Sequence, residues 1–537
     1  MVPAMNPMTH AASATTIDGS WSDFLPRVPA RLERGNFRFS QIGLILVPVL
    51  ATILRVASSP TSALAYVVLV GWALTGRRQA ILSLFFCWLF NMISHVFCGS
   101  PLYAAQLRFI IFFAAAFSVL FHGPSRSATT KVGSLAAATI PVLVLIIGHS
   151  VVASLITDVS VLKAVMFAVV FMTVLCGWAW MAPAERHLTI QTIFGSLMLV
   201  VLFGLPMRLA GRGTMGASGF FCGVIYHSQT MGIIAATVAA VLTAQCLTIR
   251  PLRWWRVLLL GLAFVELYWT GSRASAVALA GGVGLAFIVQ LFGSVLFVKG
   301  ENPRIVAARL GVAGVLFLLL VIVAGRELAG GMKQFLLKYG EKEDASLLEQ
   351  GMSTRQGLID IMSENIRRYP LSGIGFGVGS TPERRANIVR DPYLGLPLMA
   401  TVEKGVLPIV ILEEFGIPLG VLVYFWIGLL VLCASRGGIV PFAVFMTSML
   451  TNLAESAFFS PGGVGLLTII LVGWAVTEPA GGAWKKHLRD RQVALARRSP
   501  AGAPLSPVFL PPLSPVLPAP PSRPLLPARS ALTQSGA

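Results

Sequence analysis

Charge is the first thing this sequence lacks. Asp, Glu, Lys and Arg make up 12% of its 537 residues, against about 25% in a soluble globular chain. Paired cysteines are missing too. Cys87, Cys98, Cys176, Cys222, Cys246 and Cys433 stand singly, most of them inside apolar runs, with no CxxC spacing. A disulfide framework is therefore excluded, and the six are expected to be packing residues. Residues 1–40 lack a basic-then-apolar start, so no cleavable signal peptide is expected. Histidine is absent from the whole stretch between His227 and His487.

Apolar runs fill the space that charge leaves. Hydrophobic residues reach 55%, and the mean hydropathy is +0.78. Runs long enough to cross a bilayer recur along most of the chain, and none alternates as barrel strands do. The fold class is therefore all-α, a polytopic integral membrane protein. Run length predicts about 14 spans. They are Gln41–Ala57, Ser62–Gly76, Gln79–Phe97, Ala105–Phe121, Val132–Leu155, Val161–Met181, Thr189–Leu205, Val224–Leu247, Val257–Trp269, Ala274–Phe292, Leu310–Gly325, Val406–Ala434, Ile439–Ala457 and Val464–Val476.

Short basic loops set the orientation. Arg77-Arg78, Arg126 with Lys131, Arg186, Arg250–Arg256, Lys299 with Arg304, Arg436 and the tail lysines Lys485 and Lys486 all fall on one side. The positive-inside rule makes that side cytoplasmic. An even span count then places both termini in the cytoplasm. The formal net charge of +19 has the same origin and does not point to nucleic acid. Three regions follow: a cytoplasmic N-terminal segment 1–40, a membrane domain 41–478, and a Pro-rich basic tail 479–537 in which no core can form. Within the membrane domain, the soluble-looking stretch 326–405 is expected to be a large extracytoplasmic loop.

Several cations nevertheless fall on the outer side. Lys163 lies just inside its span, Arg208 and Arg212 in the 205–223 loop, Arg273 at the Thr270–Arg273 hairpin, and Arg355 in the large loop. Positive charge there opposes the topological rule and needs a reason. One is a diphosphate ligand, because arginine forks match phosphate oxygens bidentately. The other is snorkelling to lipid headgroups. His227, Ser228 and Gln229 open a helix, where free N–H groups favour an anion; capping by Ser228 explains the same residues.

The large loop has its own pattern. Ser353–Tyr369 reads as a surface amphipathic helix with Leu358, Ile359, Met362 and Ile366 on one stripe. Glycines at 373, 375, 377 and 379 follow it. Without a strand–helix context they read as a close-packed turn against the membrane face, not a phosphate loop. Carboxylates at or inside apolar runs are functional candidates. Glu403 and Glu455 are placed to reach an outer cavity, and Glu414, about two turns into its helix, to pair with a buried cation.

Taken in order, Gly219–Gly232, Gly271-Ser272-Arg273, Arg355 with Pro370–Gly377, and Glu414–Gly420 resemble the O-antigen ligase and polymerase superfamily of membrane glycosyltransferases. The resemblance spans roughly residues 163–476. It implies a sugar donor on undecaprenyl diphosphate, an outward-facing site, and arginines that hold the diphosphate while a sugar hydroxyl attacks the anomeric carbon. In the ligase branch a histidine near the end of the large loop is the base. Here Glu403, Lys404 and Gly405 stand in that place, which favours the polymerase branch. On this reading Glu403 is the candidate base. Arg273, with Arg208, Arg212 or Lys163, offsets the leaving diphosphate. His227, Gln229, Arg355, Lys404 and Glu455 complete the substrate-binding set. No metal and no cofactor is invoked. Expected partners are the undecaprenyl-diphosphate-linked oligosaccharide, the lipid bilayer, a chain-length regulator and export proteins.

The alternatives are an O-antigen ligase, a flippase or secondary transporter, and a structural assembly protein. A transporter should show inverted repeats and spans broken at midplane, and no such repeat is visible. A structural protein has no need for clustered outer arginines. The topology is testable by itself. A single cysteine introduced at Asn387 of the large loop, in a cysteine-free background, should react with a membrane-impermeant maleimide in intact spheroplasts. Labelling only after lysis would overturn the orientation.

Overall fold

The structure is a computed structural model of the chain. It describes residues 39–94, 97–99, 103–125, 133–214, 219–248, 252–296, 311, 347–390, 395, 397–399 and 404–478. The expected span Leu310–Gly325, apart from residue 311, lies outside the described residues, as do the tail 479–537 and nearly all of segment 1–40.

Every other expected span coincides with a helix. These are α1 (Phe39–Ala57), α2 (Ser59–Ala73), α3 (Arg77–Met92), α4 (Ala104–His122), α5 (Gly133–Val152), α6 (Thr157–Trp180), α7 (Pro183–Leu209), α8 (Ser228–Thr248), α9 (Trp254–Trp269) and α10 (Arg273–Leu296). Then come α11 (Leu347–Arg368) and α12 (Pro382–Ala386) from the large loop, and α13 (Leu407–Ser435), α14 (Ile439–Thr451) and α15 (Gly465–Thr477). Strand among the described residues is limited to one antiparallel pair, β1 (Val389–Arg390) and β2 (Pro397–Met399). Five helices, α5, α6, α7, α8 and α13, are long and apolar enough to cross a membrane, and six others are shorter apolar helices. The fold is therefore all-α, with the helices of a membrane protein. The six cysteines form no disulfide.

Small residues set how closely these helices approach. A Cβ on Gly282 of α10 would lie 2.5 Å from the backbone nitrogen of Thr447 in α14. Gly473 of α15 likewise lies against Val174 of α6. Without water between apolar helices, such close backbone contact supplies the dispersion that holds them. Every residue of α15 is buried, and so is most of α8. On the periphery, α1 leaves Ile45, Leu46, Val49 and Ile53 exposed along one side.

Contacts divide the helix ends into two groups. At one end, Arg77 bonds the carbonyl of Gly123 and pairs with Glu185 at 3.9 Å, while Arg186 bonds the carbonyl of Thr477 at 2.5 Å. At the other, here the loop end, the chain from 369 to 380 folds back over α5, α6 and α13. Of the cations that the sequence assigned to one side, Arg77 and Arg186 both lie at the first of these ends.

One helix is broken. In α13, Gly416 takes φ 69° and ψ 175°, and Pro418 follows it. This break was not anticipated from the sequence. The carbonyls of Glu413 and Glu414 lose their helical partners there and accept from Ile374 N at 2.8 Å and Gly375 N at 3.1 Å. Ile417 N returns a bond to the Pro370 carbonyl at 2.7 Å. The glycine turn is thus packed against the membrane helices as expected, and it also completes the α13 backbone.

The glycines have no substitute in this role. Gly373 has φ +61°, and a Cβ there would be 2.5 Å from the Glu414 carbonyl. Gly375, at φ +104°, lies against Ser154. Gly375→Ala should cost about 2–3 kcal/mol through positive φ and overpacking together. Gly148→Ala, in α5 with no atom within 4 Å of the new Cβ, should be neutral or slightly stabilising. Thermal unfolding of the two purified variants in one detergent checks the contrast.

Candidate functional site at the loop end

Burial of charge organises the first part of the site. Lys404 precedes α13 and is 1% exposed; Glu413 and Glu414 are 0% and 2% exposed. Lys404 Nζ lies 2.9 Å from Glu413 Oε2 and 3.1 Å from Glu414 Oε1. Glu413 Oε1 accepts from Asn365 Nδ2 at 2.7 Å, and its Oε2 from Ser380 Oγ at 3.0 Å. Asn365 comes from α11 and Ser380 from the end of the glycine turn, so the carboxylate ties both to α13. Lys163 of α6 stands within electrostatic reach of Glu414 and Lys404, so two ammonium groups face two carboxylates.

Backbone contacts fix Lys404 from behind. Its carbonyl accepts from Ser456 N at 2.9 Å, and Leu407 N donates to the Asn452 carbonyl at 2.9 Å. Between them Val406 is held at φ 64°, a strained conformation for a β-branched residue. Asn452 is buried and accepts from Phe458 N at 2.6 Å. Below the glycine turn Phe376 stacks on Phe415 at 5.3 Å and meets Phe459 edge-on at 5.6 Å. Lys163 Nζ sits 5.0 Å from the centre of the Phe376 ring, and Gly377 lies against its stem.

The second part gathers around Trp269. The guanidinium of Arg208 lies 5.5 Å from the centre of that ring. Phe221 packs on the same indole and donates its N–H to the Trp269 carbonyl at 3.1 Å. The Thr270–Arg273 hairpin turns at Gly271 with φ +62°, against the ring of Phe220. Its Ser272 packs on Gly232 in the first turns of α8. Arg208, Arg273 and the start of α8 are thereby neighbours. Arg212 is exposed just past α7.

Each sequence candidate can now be placed. Arg208 packs on Trp269, Arg273 ends the hairpin that follows it, His227 and Gln229 stand at the start of α8, and Arg212 lies just past α7. Lys163 and Lys404 belong to the buried knot, and Glu455 follows α14, one residue before the Ser456 contact to Lys404. Arg355 lies in α11. Glu403 lies outside the described residues. One local reading changes. Ser228 is the first residue of α8 and not its cap; Gln229 N donates to His227 Nδ1 at 3.2 Å instead.

Lys404, Glu413 and Glu414 are shut off from solvent and position the loop, with Lys163 at the edge of the knot. The groups left partly or wholly exposed are Lys163, Arg208, Arg212, His227, Gln229, Arg273 and Glu455. This set is predominantly cationic and suits an anionic ligand with hydroxyl groups. Three participants were missed in the sequence. Asn365 and Ser380 gave no signal among the other polar loop residues. His149 donates from Nε2 to the Ser372 carbonyl at 2.5 Å. It ends an apolar run, and that position was its signal. Compared with protein-family models and with curated proteins, the chain matches none.

Removing one member of the knot should leave uncompensated buried charge. Lys404→Met is expected to destabilise the protein by about 3–5 kcal/mol. Combining it with Glu413→Gln and Glu414→Gln should recover part of the loss. Thermal unfolding of the single and triple variants measures this, and a harmless single substitution would refute the coupling.

Proposed function

We propose that the protein is a membrane glycosyltransferase that joins undecaprenyl-diphosphate-linked oligosaccharide repeat units at the outer face of the bacterial inner membrane. On this reading it is a polysaccharide polymerase of exopolysaccharide, O-antigen or capsule assembly. The observation that carries the proposal is Arg208 on the face of Trp269, at the end of the helix whose following hairpin carries Arg273 and packs through Ser272 on the start of α8. Guanidinium groups at a membrane edge suit a diphosphate leaving group, whose developing charge they offset. The acceptor hydroxyl loses its proton to a base, and Glu403 takes that role. The resemblance in motif order supports the same assignment. A ligase would use a similar site but transfer finished glycan to a different acceptor.

The break in α13 favours one reading of another class. Discontinuous helices build ion and substrate sites in secondary transporters. Here the opened carbonyls are already met by the glycine turn, which leaves less for a transported ion. One assay separates the classes. Purified protein in detergent, given lipid-linked repeat units, should produce a ladder of polymer; a transporter has no compartments to work between and should produce none.

The site assignments are testable in that assay. Arg273→Lys keeps the charge but loses the fork, and should lower the rate by about tenfold or more at unchanged protein yield. Glu403→Gln should lower it by about 100-fold or more if the carboxylate is the base. Normal turnover in the second variant, with loss in the first, would leave diphosphate positioning as the source of catalysis.

A further inference from the structure

Among the arginines of the first four helices, Arg55 and Arg108 combine burial with an unpartnered N–H and have no part in the proposed reaction. Arg55, in the last turn of α1, is 0% exposed. Its Nε donates to the Phe90 carbonyl at 3.2 Å and its Nη1 to the Gly99 carbonyl at 3.1 Å. Its Nη2 is buried with no hydrogen-bond partner. Arg108, in α4, bonds the Gly462 carbonyl through Nη1 and buries an unpartnered Nε. Both stand within electrostatic reach of Tyr66, whose hydroxyl donates to Asn91 Oδ1 at 2.9 Å.

No Asp or Glu occurs between Glu33 and Asp158, a stretch that contains α1 to α4 entire. Among the described residues no carboxylate lies within ion-pair distance of either arginine. The end of α3 faces Arg55 with about half a negative charge from its dipole, well short of two cations. An arginine removed from water without an anion carries a penalty of several kcal/mol. No described side chain supplies that anion, and a bound ligand would.

We propose that Arg55 and Arg108, together with Tyr66 and Asn91, form a binding site for a phosphoryl group. Two forks with orphan N–H groups match phosphoryl oxygens better than a single-atom anion. Arg108 is partly exposed and forms the mouth; Arg55 forms the closed end. Peripheral α1, with its apolar side exposed, is the wall that shifts to admit the group. The source is a phospholipid headgroup or free phosphate. This site does not depend on the glycosyltransferase reading.

The test uses the full chain in nanodiscs. Native mass spectrometry and thermal unfolding are compared for phosphatidylglycerol against phosphatidylcholine discs, and for phosphatidylcholine discs with added inorganic phosphate. Retained phosphatidylglycerol with a raised midpoint supports a lipid source. A raised midpoint with phosphate in phosphatidylcholine supports a free anion. In either case Arg55→Gln and Arg108→Gln should abolish the shift, whereas Arg273→Lys should keep it. Phenylglyoxal modification of Arg108 in wild-type protein supplies a readout that needs no variant to fold: the effective ligand should protect it. No shift with either ligand, or a shift without protection of Arg108, overturns the proposal.

Discussion

The loop end depends on one electrostatic constraint: Glu413 and Glu414 enter an apolar bundle as adjacent carboxylates, and Lys404 meets both. The cost of desolvating such groups is repaid only when geometry is tight and the remaining lone pairs are satisfied. Asn365 and Ser380 meet that demand for Glu413. The result is specificity more than affinity. A hydrocarbon core would hold α11 anywhere along α13, whereas a carboxylate with two fixed donors accepts one register.

Backbone geometry supports the same register. Gly416 opens the α13 ladder, and the turn from Pro370 to Gly375 closes it with reciprocal bonds. The α13 break and the glycine turn are therefore complementary halves of one structure. The aromatic floor of Phe376, Phe415 and Phe459 lies beneath them. Polar atoms are joined above and rings are packed below, so the extramembrane loop and the helices beneath it form a continuous body. On the Trp269 side the order is reversed: an aromatic ring is the centre, with the Arg208 guanidinium on its face.

Span positions were legible because burial in lipid demands long apolar runs, and run length survives every detail of packing. The positions of Arg208 and Arg273 were legible for the converse reason, as charges where apolar residues were expected. Glu414 could be read as an ion-pair partner from its depth in the run. Its cation could not be read, because Lys404 looks like an ordinary loop-end charge until Val406 turns the chain inward. The break at Gly416 was written as Gly-Ile-Pro, a pattern tolerated in continuous membrane helices too; only the returning loop decides it. Arg55 was passed over because it falls near the end of an apolar run, where snorkelling is the ordinary explanation. Its burial comes from the Phe90 and Gly99 carbonyls, which no local pattern announces.

The broken helix also imposes an order on assembly. When α13 first enters the bilayer, the carbonyls of Glu413 and Glu414 have no helical partners, and the segment that satisfies them lies upstream, on the far side of a stretch that must already have been threaded into place. Until that segment returns, the helix carries open hydrogen-bonding groups into a medium that offers none. Docking of the turn is thus a late, all-or-none closure. A nascent chain stalled before it presents the quality-control machinery with a membrane helix whose defect is a missing partner, although its own sequence is intact.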